Sequence, residues 1–172
     1  MIRHIINLSI AGLASILLTA CDNPGGGGPI TCSIPCVNST PVSDTTTLSH
    51  ATGATVTIDY TLEGDLTKVL STRADIMGVP ISTSIAGLGT ATSSPASPNI
   101  TSIVTVAAGA PMVTPGNHFP VISMFDTNGN GSILTIDPNK STSHYSYIET
   151  IKGVQQESQL TTFEVPIINI TP

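Results

Sequence analysis

Residues 54–62, Ala-Thr-Val-Thr-Ile-Asp-Tyr-Thr-Leu, alternate between apolar and polar side chains. Val56, Ile58 and Tyr60 fall on one side of such a segment, and Asp59 falls on the other with the threonines. A period of two residues is typical of a β-strand with one buried face and one solvated face. The stretch therefore predicts a strand whose apolar face packs into a core.

Strand-like segments continue towards the C-terminus at short intervals. They cover residues 66–77, 79–85, 100–107, 117–125 and 132–136. Within 117–125, Val121, Ser123 and Phe125 share one side, and we expect the two apolar members to face the core. The stretches between the strands, 87–99 and 108–115 among them, are rich in small residues, Pro, Asn and Asp and read as loops. Short strands at such spacing indicate a sandwich or a barrel.

Two further segments beyond a minimal sandwich, 143–151 and 160–170, are also strand-like. The polar stretch between them, 152–159, is either a turn or a short helical piece. The pattern leaves open whether these strands extend a sheet or form a hairpin beyond the core.

The composition supports an all-β fold. Only 9% of the residues are charged and 3% are aromatic, whereas Ser, Thr, Val and Ile are abundant. Thr, Val and Ile suit a pleated, half-buried surface, and strong helix formers are scarce. The formal net charge of −6 argues against nucleic acid as a partner, because nucleic-acid-binding domains carry a basic surface.

The first 20 residues predict a secretory signal peptide. Arg3 gives a positive start, residues 5–18 form an apolar run, and small residues precede Cys21. The run is shorter than the about 20 apolar residues that a transmembrane helix needs.

Leu18-Thr19-Ala20-Cys21 resembles the lipobox of bacterial lipoproteins, in which a leucine and two small residues precede a cysteine. The resemblance implies cleavage before Cys21, a diacylglycerol on its thiol and a third acyl chain on its amine. Such an anchor would hold the protein on a membrane of the cell envelope. We expect the anchor to lie in the outer membrane, because the long tether that follows Cys21 suits attachment to an envelope assembly. The periplasmic face of the inner membrane is the alternative, because Asp22 resembles a retention signal of enteric bacteria. A secreted protein with a chance cysteine near the cut is the other interpretation.

Residues 21–43 are predicted to be a lipidated, flexible tether, because four glycines at 25–28 and several prolines cannot bury enough surface to fold. With Cys21 carrying lipid, Cys32 and Cys36 remain as a pair that an oxidising compartment would join in a disulfide. Free thiols, or pairing with a partner, are the alternatives. A disulfide in the tether would contribute little to the stability of the domain.

Residues 115–132, Pro-Gly-Asn-His-Phe-Pro-Val-Ile-Ser-Met-Phe-Asp-Thr-Asn-Gly-Asn-Gly-Ser, resemble the last hairpin of bacterial immunoglobulin-like domains. Those hairpins often run proline-glycine, an alternating strand, then aspartate, a spacer, Gly-Asn and Ser. The resemblance implies that residues 44–172 form an immunoglobulin-like β-sandwich with extra C-terminal strands. The chain departs from antibody domains, since it has no tryptophan for the core.

One loop has the spacing of an ion site. Asp126, Asn128 and Asn130 stand at positions 1, 3 and 5 of an EF-hand-like loop, with Gly131 at position 6 and Asp137 at position 12. Position 12 lacks the usual bidentate Glu, and the flanks are strand-like instead of helical. We therefore favour a β-hairpin turn without calcium over a calcium site.

No pattern of catalytic residues is present in the sequence: the histidines are dispersed, and neither Gly-x-Ser-x-Gly nor His-Glu-x-x-His occurs. We expect a non-enzymatic envelope lipoprotein without a cofactor. It would be a structural or protein-interaction module, an accessory component of a larger envelope assembly such as a secretion-system core complex. Its partners would be the membrane, through the lipid anchor, and envelope proteins. The alternative is a surface lipoprotein that binds calcium, glycan or wall polymer.

Overall fold

The computed structural model describes residues 32–79, 85–93 and 95–172, which form an all-β, sandwich-like fold. Within these ranges no helix is long and apolar enough to cross a membrane. The strands in chain order are β1 (Cys36–Val37), β2 (Val42–Ser43), β3 (Thr47–Ser49), β4 (Ala54–Glu63), β5 (Val69–Gly78), β6 (Ile85–Gly89), β7 (Thr92–Ser93), β8 (Asn99–Val106), β9 (Gly116–Asp126), β10 (Gly131–Asp137), β11 (Ser141–Ile151), β12 (Val154–Gln155), β13 (Gln159–Glu164) and β14 (Ile168–Thr171).

Two layers of strands face each other across the core. In the smaller layer β4 pairs with β8, and β1 and β2 lie on the other edge of β4. In the larger layer β5, β9, β10 and β11 pair in that order, all antiparallel. Strand β6 pairs with both β5 and β8 and so joins the layers. The hydroxyl of Tyr60 on β4 lies 2.9 Å from that of Thr72 on β5, which ties the layers together inside the core.

Strand β4 confirms the alternation read from residues 54–62. Val56 and Ile58 are fully buried, and Tyr60 is nearly so, whereas Asp59 is exposed. The apolar face of the strand covers the larger layer, because burial of aliphatic side chains drives the packing of the sandwich.

Strand β9 corrects the predicted orientation of Val121 and Phe125. Ile122 and Met124 are fully buried, while Phe125 is 50% exposed. Both faces of this strand carry apolar side chains, so its own alternation does not choose between them. The pairing register with β5 decides which face is buried, because Ile122 lies opposite the buried Ala74. A slip of one residue would move every side chain of β9 to the other face of the sheet.

The predicted tether 21–43 is wrong in its C-terminal half, because the structure places residues 32–43 in the fold. Strands β1 and β2 hydrogen-bond to β4. Cys36 and Val37 are buried, so these residues contribute apolar surface to the core. The described domain therefore includes Cys32 and does not begin at residue 44.

The C-terminal strands are integral to the sandwich. Strand β11 pairs along β10, and β12 and β13 share the other edge of β11. Strand β14 lies between β9 and β3, with Ile168 and Ile170 buried. The single strand predicted for 160–170 is thus two strands that pair with different partners, and 152–159 contains a turn and β12.

Two other segments differ from their predictions. Residues 66–77 begin with a 3-10 turn, Leu66–Lys68, before β5 starts. The predicted loop 87–99 contains the end of β6 and all of β7, and the predicted strand 79–85 lies partly outside the described residues. A side chain at Gly89 would overlap the carbonyl oxygen of Ala74, so glycine allows β6 to pass this close to β5.

Candidate functional site

The predicted lipidation residue, Cys21, lies outside the described residues, which begin at Cys32. The structure joins Cys32 and Cys36 in a disulfide, with 6.2 Å between their Cα atoms. Within this loop Ile34 packs against Val69 and Met124. The disulfide loop therefore closes one end of the core, in contrast to the predicted place in a flexible tether.

A buried carboxylate holds the same loop. The hydroxyl of Ser33 lies 3.3 and 3.4 Å from the two carboxylate oxygens of Glu149, which is 5% exposed on β11. No local pattern predicts this contact, because 116 residues separate the partners. The bond connects the N-terminal segment to the larger layer.

Asp126 organises the turn between β9 and β10. One of its carboxylate oxygens accepts hydrogen bonds from the backbone N–H groups of Asn128 and Asn130, both at 2.8 Å. The other accepts from the side-chain amide of Asn130 at 2.9 Å. Gly129 supplies the left-handed residue of the turn, with a φ of 78°. These bonds fold the loop as a hairpin turn, with the carboxylate directed at the loop itself.

The electrostatics of this turn follow from the same bonds. Burial on its own raises the pKa of Asp126, but the hydrogen bonds from Asn130 and Asn128 outweigh it and hold the pKa below its usual value. The carboxylate is thus ionised and satisfied by the chain's own donors.

The predicted calcium set of Asp126, Asn128, Asn130 and Asp137 is not brought together. Asp137 lies at the far end of β10, about 20 Å along the strand from Gly131 at a rise of about 3.3 Å per residue. It accepts hydrogen bonds from the Ser158 hydroxyl at 2.6 Å and from the Asn139 N–H at 3.0 Å. A calcium loop curls its ligands around one point, whereas an extended strand separates them. In the described ranges, no group of three or more His, Cys, Asp or Glu side chains could hold a metal ion.

The three described histidines have separate surroundings. A ring nitrogen of His50 contacts the carbonyl oxygen of Ala110, and one of the buried His118 contacts that of Gly116, both at 3.1 Å. His144 bonds to the neighbouring Ser143 hydroxyl. Each ring is held by local contacts at a different place in the fold.

The outward side of the larger layer presents a row of side chains across four strands. Register aligns Arg73, Ser123, Ile133 and Ile148, a set that we call the outer face. Ile133 is 37% exposed. Arg73 makes a short ion pair with Asp75, at 2.7 Å, so its charge is balanced locally. The outer face was not predicted from the sequence, because the side of β9 that carries Ser123 was expected to face the core. Apolar residues next to each other on β9 and β10 are the sequence signal that could have indicated it.

A shallow cleft of about 350 Å³ opens on the smaller layer, beside β2. More of its lining surface is apolar than polar, and it is formed by Ser39, Thr40, Asp59, Thr61, Asn99 and Thr101 together with Val42, Tyr60 and Ile100. The Asp59 carboxylate accepts a hydrogen bond from the Thr101 hydroxyl at 2.6 Å. The cleft therefore offers both donors and acceptors to a polar ligand.

No protein-family model, curated protein or solved structure matches this chain.

Proposed function

We propose that this chain is a lipid-anchored protein of the bacterial cell envelope and a non-enzymatic protein-interaction module. It would act as an accessory component of a larger envelope assembly such as a secretion-system core complex. The resemblance of Leu18-Thr19-Ala20-Cys21 to a lipobox supports the anchor, with the outer membrane favoured. The resemblance of residues 115–132 to immunoglobulin-like hairpins supports a scaffold that presents its sheets to partners.

The outer face is the observation that carries the proposal. Ile133 and Ile148 are neighbours across two strands, and Ser123 continues the row without charge. The inward face of the same sheet is already occupied by the core. The two isoleucines and the serine carry no charge, and the Arg73–Asp75 ion pair beside them is balanced, which agrees with the depletion of charged residues at the centre of a protein interface.

The experiment compares two variants of the full acylated protein in its native envelope. Ile133→Asp places a charge in the centre of the outer face, and Thr57→Asp places one on the half-exposed side of the smaller layer. After detergent extraction, the wild-type protein and Thr57→Asp should sediment in a complex larger than the protein alone, and Ile133→Asp should sediment as free protein. Wild-type protein that sediments alone would contradict the proposal, as would a complex that Ile133→Asp leaves intact.

The cleft beside β2 favours a second candidate function, binding of a glycan or wall polymer. Sugar hydroxyls pair with carboxylate, amide and hydroxyl groups, and Asp59, Asn99 and Thr101 supply all three. In that case the wild-type protein would bind purified wall polymer and Asp59→Ala would bind it at least tenfold more weakly, which corresponds to about 1.4 kcal/mol. Equal binding by the two proteins would rule this cleft out.

A further inference from the structure

The disulfide loop and the turn after β9 lie at the same end of the sandwich. Both line one cleft of about 230 Å³, which also includes Gly64, Asp65 and Lys68. The backbone N–H of Thr127 donates to the carbonyl oxygen of Lys68 at 2.8 Å, which links the turn to the start of β5. The described chain therefore enters the fold at the end where β5 begins and β9 ends.

Three large apolar side chains are exposed at this end. Leu70 stands at the start of β5 and is 54% exposed, Phe125 stands at the end of β9 and is 50% exposed, and Val154 on β12 is 62% exposed. We call this set the tether-end patch. Val154 lies at the same end but on the other side of the sheet from Phe125. Phe125, Gly131, Thr150 and Gln155 are aligned across neighbouring strands, and Val154 is one residue from Gln155.

The backbone supports the exposed position of Phe125. A methyl group at Gly131 would lie 3.2 Å from the Phe125 ring, so the ring covers the glycine at the start of β10. The ring is thus held on the outward side of the sheet, beside the turn. Lys152, also exposed, is fixed to that turn by a hydrogen bond from its backbone N–H to the side-chain oxygen of Asn130, at 2.9 Å.

The number of residues between Cys21 and Cys32 limits how far this end can lie from an anchor. Cys21 precedes Cys32 by eleven residues. Even fully extended, eleven residues span at most about 40 Å. If Cys21 carries lipid, the end that holds the tether-end patch is also the end tied to the bilayer.

We propose that the tether-end patch rests on the lipid surface in which Cys21 is anchored, an inference that depends on the proposed function. Leu70, Phe125 and Val154 enter the interfacial region of the bilayer, where aromatic and aliphatic side chains gain from leaving water. The ammonium group of Lys152 stays at the level of the phosphates. The domain is then held with a fixed end towards the membrane, and its outer face remains available to a protein partner.

The chain contains no tryptophan, so a single introduced tryptophan reports on one site. Phe125→Trp and Val154→Trp place the reporter in the tether-end patch. Met112→Trp is the matched control, because Met112 is 63% exposed in the loop between β8 and β9, at the opposite end of the sandwich. Each full-length acylated variant is reconstituted into vesicles of phosphatidylethanolamine and phosphatidylglycerol, with and without brominated acyl chains.

We expect the brominated lipids to quench Phe125→Trp and Val154→Trp, with emission shifted to shorter wavelength, and to leave Met112→Trp unchanged. Quenching of the first two no greater than that of Met112→Trp overturns the inference. If Phe125→Trp is shielded from aqueous quenchers but not quenched by brominated lipid, the patch contacts a second copy of the protein, which also overturns it.

Flotation of the same vesicles separates this inference from the proposed anchor. Wild-type protein that floats with the vesicles while the patch reporters stay unquenched refutes only the membrane contact of the patch. Wild-type protein that stays at the bottom of the gradient refutes the anchor, and the inference fails with it.

Discussion

Removal of the Cys32–Cys36 disulfide should destabilise the domain substantially. The double substitution Cys32→Ala and Cys36→Ala opens a closed loop of five residues. In the chain-entropy treatment, a loop of this length contributes about 2 kcal/mol to the free energy of unfolding. Cys36 is fully buried, so loss of its sulfur adds about 1 kcal/mol, the value for one buried methylene group. The expected loss is therefore about 3 kcal/mol.

Urea unfolding of the oxidised protein, followed by far-ultraviolet circular dichroism, measures this loss. Val42→Ala is the matched control, because Val42 lies in the same N-terminal segment but is 60% exposed. Its effect should stay within about 0.5 kcal/mol. A loss below about 1 kcal/mol in the double alanine variant would mean that the disulfide loop does not stabilise the domain and that the segment behaves as the tether that its composition suggests.

Three further outcomes are expected. Ile58→Ala should lower the free energy of unfolding by about 2–5 kcal/mol, because Ile58 is fully buried, while Thr57→Ala should cost little; equal effects in urea unfolding would mean that the orientation of β4 is wrong. The lowered pKa of Asp126 in the fold means that its carboxylate stabilises the protein above the ordinary value of 3.8, and that this stabilisation is lost as the pH falls through the lowered value. Asp126→Asn should flatten that acid part of the stability curve and calcium should leave the melting temperature unchanged; a calcium-dependent rise that Asp126→Asn abolishes would contradict the hairpin interpretation. Gly129→Ala should cost about 1–2 kcal/mol because its φ is 78°, and an unchanged melting temperature would speak against the left-handed turn.

The fold class could be predicted from local patterns where those patterns were unambiguous. On β4 one face is apolar and the other polar, so the alternation of Val56 and Ile58 gave both the strand and its orientation. On β9 the apolar residues Ile122 and Phe125 lie on opposite faces, and only the pairing partners decide which one is buried. Local sequence carries no information about those partners.

The N-terminal segment shows a second limit of prediction from sequence, which concerns composition instead of alternation. The glycines and prolines of residues 21–43 indicate a chain that cannot fold alone, and the described part of that segment, 32–43, folds against β4. Ile34 and Cys36 gain their burial from a sheet that is remote in sequence. The composition of the segment does not predict this packing, because the stabilisation comes from the sheet against which the segment folds.

At the candidate site too, features set by neighbouring residues were predicted and features set by residues distant in sequence were not. The spacing of Asp126, Asn128 and Asn130 correctly predicted a turn, since their hydrogen bonds are local. The twelfth position, Asp137, required the chain to curl around an ion, and β10 is extended instead. The outer face arises from the alignment of four strands and could not be assembled without their register.

Acylation of Cys21 is the claim on which the proposed location, the proposed interaction module and the membrane contact of the tether-end patch all depend. Mass spectrometry of the N-terminal peptide, from wild-type protein purified out of envelopes, tests it directly. We expect a mature chain that begins at Cys21 and carries a diacylglycerol on its thiol and an acyl chain on its amine. A peptide that begins at another residue, or a Cys21 with a free thiol and amine, would contradict it.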